Sequence, residues 1–259
     1  MSNLNVSIDA GRATVTLTRP EMRNAFNDEV IADLTQVFLD LGGRDEVRAI
    51  VLAAEGAAFC AGADLNWMRR MADYTPEQNR TDAGRLAEML RVIHACPKPV
   101  VARVQGDVYA GGMGLVACCD MAVSVDSAHY CLSEVKLGLV PATISPYVVR
   151  AMGARAAQRY FLTAERFSAA EALRIGFVHE VAAPEQLDER IDAIVGALLQ
   201  AGPAAVRTCK RLVQDVAGRE IDEALIASTV VGIAEIRASA EGKEGVQSFL
   251  QKRKPNWLA

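Results

Sequence analysis

The chain has 259 residues, 51% of them hydrophobic, with 28 basic and 32 acidic side chains for a formal net charge of -4. That length supports one large core with a smaller appendage, and the interspersed charges speak against nucleic acid or an anionic membrane as the main partner. No stretch is apolar enough to span a bilayer, and the first residues lack the apolar run of a secretory signal, so a cytoplasmic location is expected. Six cysteines, at 60, 96, 118, 119, 131 and 209, form no CxxC pair and mostly sit in apolar runs, which suits reduced thiols better than disulfides or a metal site.

"LNVSI" and "RATVTLT" alternate apolar and polar residues on either side of Asp9-Ala10-Gly11, which predicts a hairpin. Asn27, followed by Asp28 and Glu29, predicts a capped helix whose buried face carries Ile31, Leu34, Phe38 and Leu41. "VRAIVLAAE" reads as a continuous buried strand. Thr75, Pro76 and Gln78 spell a capping box, and the stripe Leu86, Met89, Leu90, Ile93 continues as a helix until Pro97 and Pro99 stop it. "VVARV", a glycine-rich turn, a helix and "DMAVSV" then repeat a strand-helix-strand theme, so the class is α/β with parallel strands.

Beyond residue 144 helices take over, with "FVHEV" as an isolated strand and a second capping box at Ser168 and Glu171. Ile191, Ile194, Val195, Leu198 and Leu199 mark one of these helices. The tail after Pro184 is more apolar than one short layer needs, which predicts association between copies.

Glycines at 111, 112 and 114 fall where a buried strand turns into a helix. Bare backbone there suits either an anion or oxyanion site at a helix start or tight helix packing with no ligand. "AAFCAGADLNWM", residues 57 to 68, likewise ends a strand in small residues and starts a helix at "ADL", exposing an amide near Ala63. Two such turns can converge on one carbonyl oxygen. His94, His129 and His179 lack metal-ligand or triad spacing, and no G-x-S-x-G, P-loop or dinucleotide fingerprint is present.

"RPEMRNAFN" (19 to 27), "FCAGADLNWM" (59 to 68), "VQGDVYAGGMGLVACCDMAVS" (104 to 124), "LSEVKLGLVPA" (132 to 142) and the terminal "EGVQSFLQKRKP" together resemble the crotonase superfamily of enoyl-CoA hydratases and isomerases over essentially the whole chain. The resemblance implies a spiral of β-β-α units over residues 1 to 195, then a C-terminal helical trimerisation region over 196 to 259, assembled as a homotrimer or a dimer of trimers. It implies an acyl-CoA thioester substrate, no separate cofactor and no metal. The amides of Ala63 and Gly111 would hold the thioester oxygen, with Gly112 shaping the same turn. Glu134 matches the second catalytic glutamate of typical hydratases. The first falls on Gly114, and its loss is expected to enlarge the acyl pocket and leave room for a water. Met22, Arg23, Ala25, Ala61, Asp64 and Leu65 match the CoA end, and Lys252 matches a terminal lysine that reaches phosphate from a neighbouring subunit. Trp67, Met68 and Met71 are expected to line the acyl pocket, and Tyr109 to narrow it.

With one carboxylate, an enolate held by two amides allows hydration or a double-bond shift, and both need Glu134 as the proton carrier. Finer likeness in "GADLNWMRRMADY" and "CLSEVKLGLVPATISPYVV" points to the branch acting on branched, glutaconyl-type thioesters, and so to 3-methylglutaconyl-CoA hydration. A Δ3,Δ2-enoyl-CoA isomerase is the alternative; a thioester hydrolase and a non-catalytic scaffold of the same fold complete the set.

Overall fold

The hairpin that opens the chain forms one edge of a large sheet. β1 (Leu4–Asp9) and β2 (Arg12–Leu17) pair antiparallel, Leu4 opposite Leu17, across a turn at Ala10 and Gly11. The computed structural model describes residues 3–258. α1 (Asp28–Gly43) starts at Asn27, whose side chain accepts from the Val30 N–H, and it buries Val30, Ile31, Leu34, Phe38 and Leu41. Cap and stripe both match the sequence pattern.

Three β-β-α units follow. β3 (Ala49–Ala54) and β4 (Ala58–Cys60) lead into α2 (Leu65–Ala72) and α3 (Pro76–Ala95); β5 (Val100–Val104) and β6 (Asp107–Tyr109) lead into α4 (Gly111–Cys118); β7 (Met121–Val125) and β8 (His129–Cys131) lead into α5 (Ser145–Thr163). β9 (Phe167–Ser168), α6 (Ala169–Arg174) and β10 (Glu180–Ala182) close the core. In each unit the first strand joins a six-stranded sheet, β1-β2-β3-β5-β7-β10, and the second joins a four-stranded sheet, β4-β6-β8-β9. The chain therefore winds as the expected α/β spiral. Every pairing after the hairpin is parallel except β8 with β9, which explains why β3 and β5 read as unbroken apolar runs.

α3 begins with the predicted capping box at Thr75 and Gln78, both halves present. At Ser168 only one half forms: Ser168 accepts from the Glu171 N–H, while the Glu171 carboxylate turns to the Tyr160 hydroxyl and Arg174. The strand read in "FVHEV" is shorter than expected, since Phe177 and Val178 are buried ahead of β10.

α7 (Leu187–Gln200) packs on β3, β5 and β7 through Leu187, Ile191 and Val195. The boundary expected at residue 195 lies inside this helix. Three helices follow, α8 (Pro203–Val216), α9 (Glu223–Ala238) and α10 (Ala240–Leu250), and among them only Leu225 and Ser248 are buried. Val230, Val231, Phe249 and Leu250 remain exposed, Phe249 at 81%.

Candidate active site

β4 and β6 are neighbours in the small sheet, so the turns that follow them touch. Gly62 sits at φ +89°, and a Cβ there would lie 2.9 Å from the Ala110 Cβ and 3.4 Å from the Gly111 nitrogen. A Cβ on Gly112 would fall 2.7 Å from the Cys60 carbonyl oxygen. Glycine is what permits this approach of backbone to backbone. Ala110, at φ 48° and ψ -122°, holds a conformation that L-residues avoid, at a cost of about 1–3 kcal/mol. Its amide donates to the Cys131 carbonyl (2.8 Å) and its carbonyl accepts from Met113 (2.9 Å), so the peptide before Gly111 is pinned. Among the described residues, the amides of Ala63 and Gly111 donate to no other main-chain or side-chain group.

The first turn is held by the loop at residues 19 to 27. Phe26 donates to the Gly62 carbonyl (2.9 Å) and accepts from the Asp64 amide (3.0 Å), and Ala61 donates to the Arg23 carbonyl (3.0 Å). Asn24, buried, accepts from the Arg19 amide and donates to the carbonyls of Glu55 and Ala58. Arg19 bridges the two segments, donating to the Ala25 carbonyl (2.8 Å) and to Asp64 Oδ2 (3.0 Å). Asp64 Oδ1 caps α2 by accepting from the amides of Asn66 and Trp67. Burial pushes the Asp64 carboxyl up, but the two amides and the Arg19 guanidinium outweigh it and hold it below its usual value. Asp64, expected beside CoA, instead uses both oxygens to join α2 to the loop.

A cavity of about 640 Å³ opens between these turns and the segment from Ser133 to Ile144. Of the expected residues, Ala61, Ala63, Leu65, Trp67, Met68, Met71, Gly111 and Glu134 line it. Glu134 starts a 3-10 turn, Glu134–Leu137, closed by Gly138 in the left-handed region. Its Oε2 is buried with no hydrogen-bond partner among the described residues, and burial raises its pKa. An unpaired buried carboxylate oxygen beside two unpaired amides is the donor and acceptor set that enolate chemistry requires.

The cavity also brings in Phe26, Asn79, Asp82, Ser133 and Ile144, which sequence reasoning did not select. Asp82 had a readable signal: it stands four residues before Leu86, at the head of the apolar stripe of α3. A larger groove of about 830 Å³ runs between α8 and α9, lined by Arg207, Lys210 and Arg219 and remote from Glu134.

Other expected residues fall elsewhere. Gly114 does not enlarge the pocket: a Cβ on it would meet Ile144 Cγ2 at 2.3 Å and Leu90 Cδ2 at 3.4 Å, so the space is filled by hydrocarbon and offers a water no partner. Tyr109 does not narrow the pocket: its hydroxyl donates to Asp107 Oδ2 (2.9 Å), and the Arg166 guanidinium lies 5.6 Å above its ring. Met22, Arg23 and Ala25 lie on the loop that abuts Ala61 and outside the cavity lining, as does Gly112. Lys252 is not among the residues lining the same chain's cavity. The tail beside it is fastened by Arg253 to Glu244 and by Trp257 to Gln200 and Arg48, at the end of β3 opposite the site.

The crowding at Gly114 has a direct test. Gly114→Glu is expected to lower the unfolding temperature rather than supply a second working carboxylate, and Gly114→Glu with Ile144→Ala to recover part of the loss, as read by thermal unfolding. An unchanged melting temperature in the single variant would contradict the packing described.

Known proteins share the sequence and the fold. The chain is 35% identical to Pseudomonas aeruginosa AtuE, whose solved structure superposes with a TM-score of 0.95 over 100% of both chains. An enoyl-CoA hydratase from Shewanella pealeana is 41% identical, with a TM-score of 0.96 over 99% of this chain and 96% of that one. Crotonyl-CoA hydratase of Syntrophomonas wolfei is 30% identical over 251 residues, 95% of this chain and 94% of its own. The profile of the enoyl-CoA hydratase/isomerase family matches residues 7–259, and the chain is a member of that family.

Proposed function

We propose that this protein is an enoyl-CoA hydratase of short branched enoyl-CoA thioesters, with 3-methylglutaconyl-CoA as its substrate. The observation that carries the reading is Glu134 Oε2, buried and unpaired in the same cavity as the free amides of Ala63 and Gly111. The thioester oxygen accepts from both amides, and each such donor contributes roughly 3–4 kcal/mol as charge gathers on that oxygen. Ionised Glu134 takes a proton from water as the oxygen of that water bonds to the β-carbon. The electron pair of the double bond moves into the enolate, and Glu134 returns the same proton to the α-carbon. One carboxylate completes the addition, and its raised pKa suits it to carry the proton both ways.

Trp67, Met68, Met71, Leu86 and Ile144 give the acyl chain apolar walls. No Lys or Arg lines the cavity among the described residues, so a distal carboxylate depends on the Asn79 amide and the Ser133 and Thr143 hydroxyls. Copies are expected to join through the exposed apolar faces of α9 and α10, which leaves a phosphate contact by Lys252 to a neighbouring copy. A second reading, Δ3,Δ2-enoyl-CoA isomerisation, is favoured by one observation. Ile144 and Leu90 fill the volume beside Gly114, so no second carboxylate stands there, and moving a proton between two carbons needs Glu134 alone.

Product mass separates these readings when the protein is incubated with 3-methylglutaconyl-CoA, crotonyl-CoA and a 3-enoyl-CoA. Gain of one water supports the hydratase; an unchanged mass with a moved double bond would replace it with the isomerase, and free CoA with a hydrolase.

Glu134→Gln is expected to abolish turnover while retaining thioester binding. Because burial raises the Glu134 pKa, its ionised form is disfavoured by folding. Stability is fullest where Glu134 is protonated, and it falls as pH rises through the folded-state value. The variant should therefore melt higher than the parent at about pH 8, with the difference fading in acid. Equal melting temperatures at both pH values would contradict the burial argument.

A further inference from the structure

We propose that Asp82 is a positioning residue for the thioester site, acting on the Gly111 amide through Trp67 and Phe26; this rests on the reading of Ala63 and Gly111 as the carbonyl's donors. Asp82 lies on α3, which packs against α1 and α4 and so belongs to the rigid core. It is 8% exposed, and its Oδ1 accepts from the Trp67 indole N–H at 3.2 Å. Burying a carboxylate against a neutral indole is unfavourable unless that contact serves something.

Trp67 is the single buried residue of α2, so the orientation of this short helix over the cavity depends on where its ring is held. The Trp67 ring rests on Phe26, with centroids 6.1 Å apart and planes inclined by 52°. Phe26 touches both turns. Its main chain brackets Gly62 and Asp64, and the tip of its ring stands 2.4 Å from where a Cβ on Gly111 would be. The series Asp82, Trp67, Phe26, Gly111 is therefore continuous, from a core helix to the amide that meets the substrate oxygen. Loss of the first contact leaves the indole N–H without an acceptor in a buried site, and the ring must turn to find one. Phe26 then loses its support on the side away from Gly111.

The CoA contacts expected at Met22, Arg23, Ala25, Ala61 and Leu65 involve neither Asp82 nor the Trp67 ring. Asp82 should accordingly govern kcat and leave KM nearly alone. The full chain is assayed with whichever of the three thioesters it turns over. Asp82→Ala should lower kcat about 100-fold, the scale of a misplacement of roughly 1 Å, with KM changed by less than about threefold. Asp82→Asn keeps an acceptor for the indole and should restore most of the rate. Trp67→Phe keeps an aromatic side chain and removes the donor, so its kcat should fall as that of Asp82→Ala does, with KM free to move because Trp67 also lines the cavity, and the kcat of the double variant should be no lower than that of either single one. It also serves should Asp82→Ala fail to fold.

Unchanged kcat in Asp82→Ala, additive losses in the double variant, or Asp82→Asn as slow as Asp82→Ala would each overturn the proposal. A wild-type chain inactive on all three thioesters would count against the hydratase reading instead. The carbonyl stretch of bound butanoyl-CoA then decides for Asp82: a downshift in the wild type that shrinks in Asp82→Ala supports it, and equal shifts overturn it.

Discussion

Gly62 packs against the Tyr109 carbonyl, the Ala110 methyl and the Gly111 amide so closely that a Cβ on it would have no room, and the rest of the site follows from that contact. The two turns can approach this closely only because Gly62 carries no side chain, and Ala63 and Gly111, whose amides are unpaired, line the same cavity. Each side is held separately. Arg19, Asn24 and Phe26 fix the first turn, while the hydrogen bonds of Ala110 to Cys131 and Met113 fix the second against its own strain. The buried Arg19–Asp64 pair is what unites the leading loop with the start of α2. Its carboxylate is fully engaged, which distinguishes it from Glu134.

That contrast separates an acid engaged on both oxygens from one with a buried oxygen left unpaired. Asp64 receives three hydrogen bonds, from two amides and a guanidinium, and its pKa falls; Glu134 Oε2 has no partner and its pKa rises. Burial raises both, and Asp64 is brought down by its hydrogen bonds and by the charge of Arg19, which Glu134 lacks. On the proposed reading, Glu134 trades a local loss of stability at neutral pH for a role as proton carrier. Ile144, filling the volume beside Gly114, keeps the cavity at one carboxylate from that side.

Local pattern made much of this legible. The hairpin, the caps at Asn27 and Thr75, the stripe of α1 and both glycine turns follow from the spacing of residues within a few positions of one another, and all are present. Contacts between residues distant in sequence were not legible. Gly114 reads as open space until Ile144, thirty residues on, is seen to fill it. Tyr109 reads as a pocket residue until Arg166, fifty-seven positions on, is seen over its ring, with the neighbouring Asp107 taking its hydroxyl. Asp64 reads as a ligand contact because its partner Arg19 lies forty-five positions earlier. Phe26 and Asp82 passed as an ordinary loop aromatic and a helix acid for the same reason.

The account is tested most directly by a crystal structure of the protein with a saturated, unreactive acyl-CoA. It predicts the thioester oxygen about 2.7–3.1 Å from the amide nitrogens of both Ala63 and Gly111, with the Glu134 carboxylate beside the α- and β-carbons. A thioester oxygen met by only one of those amides, or turned to solvent with Glu134 remote from the acyl chain, would contradict it.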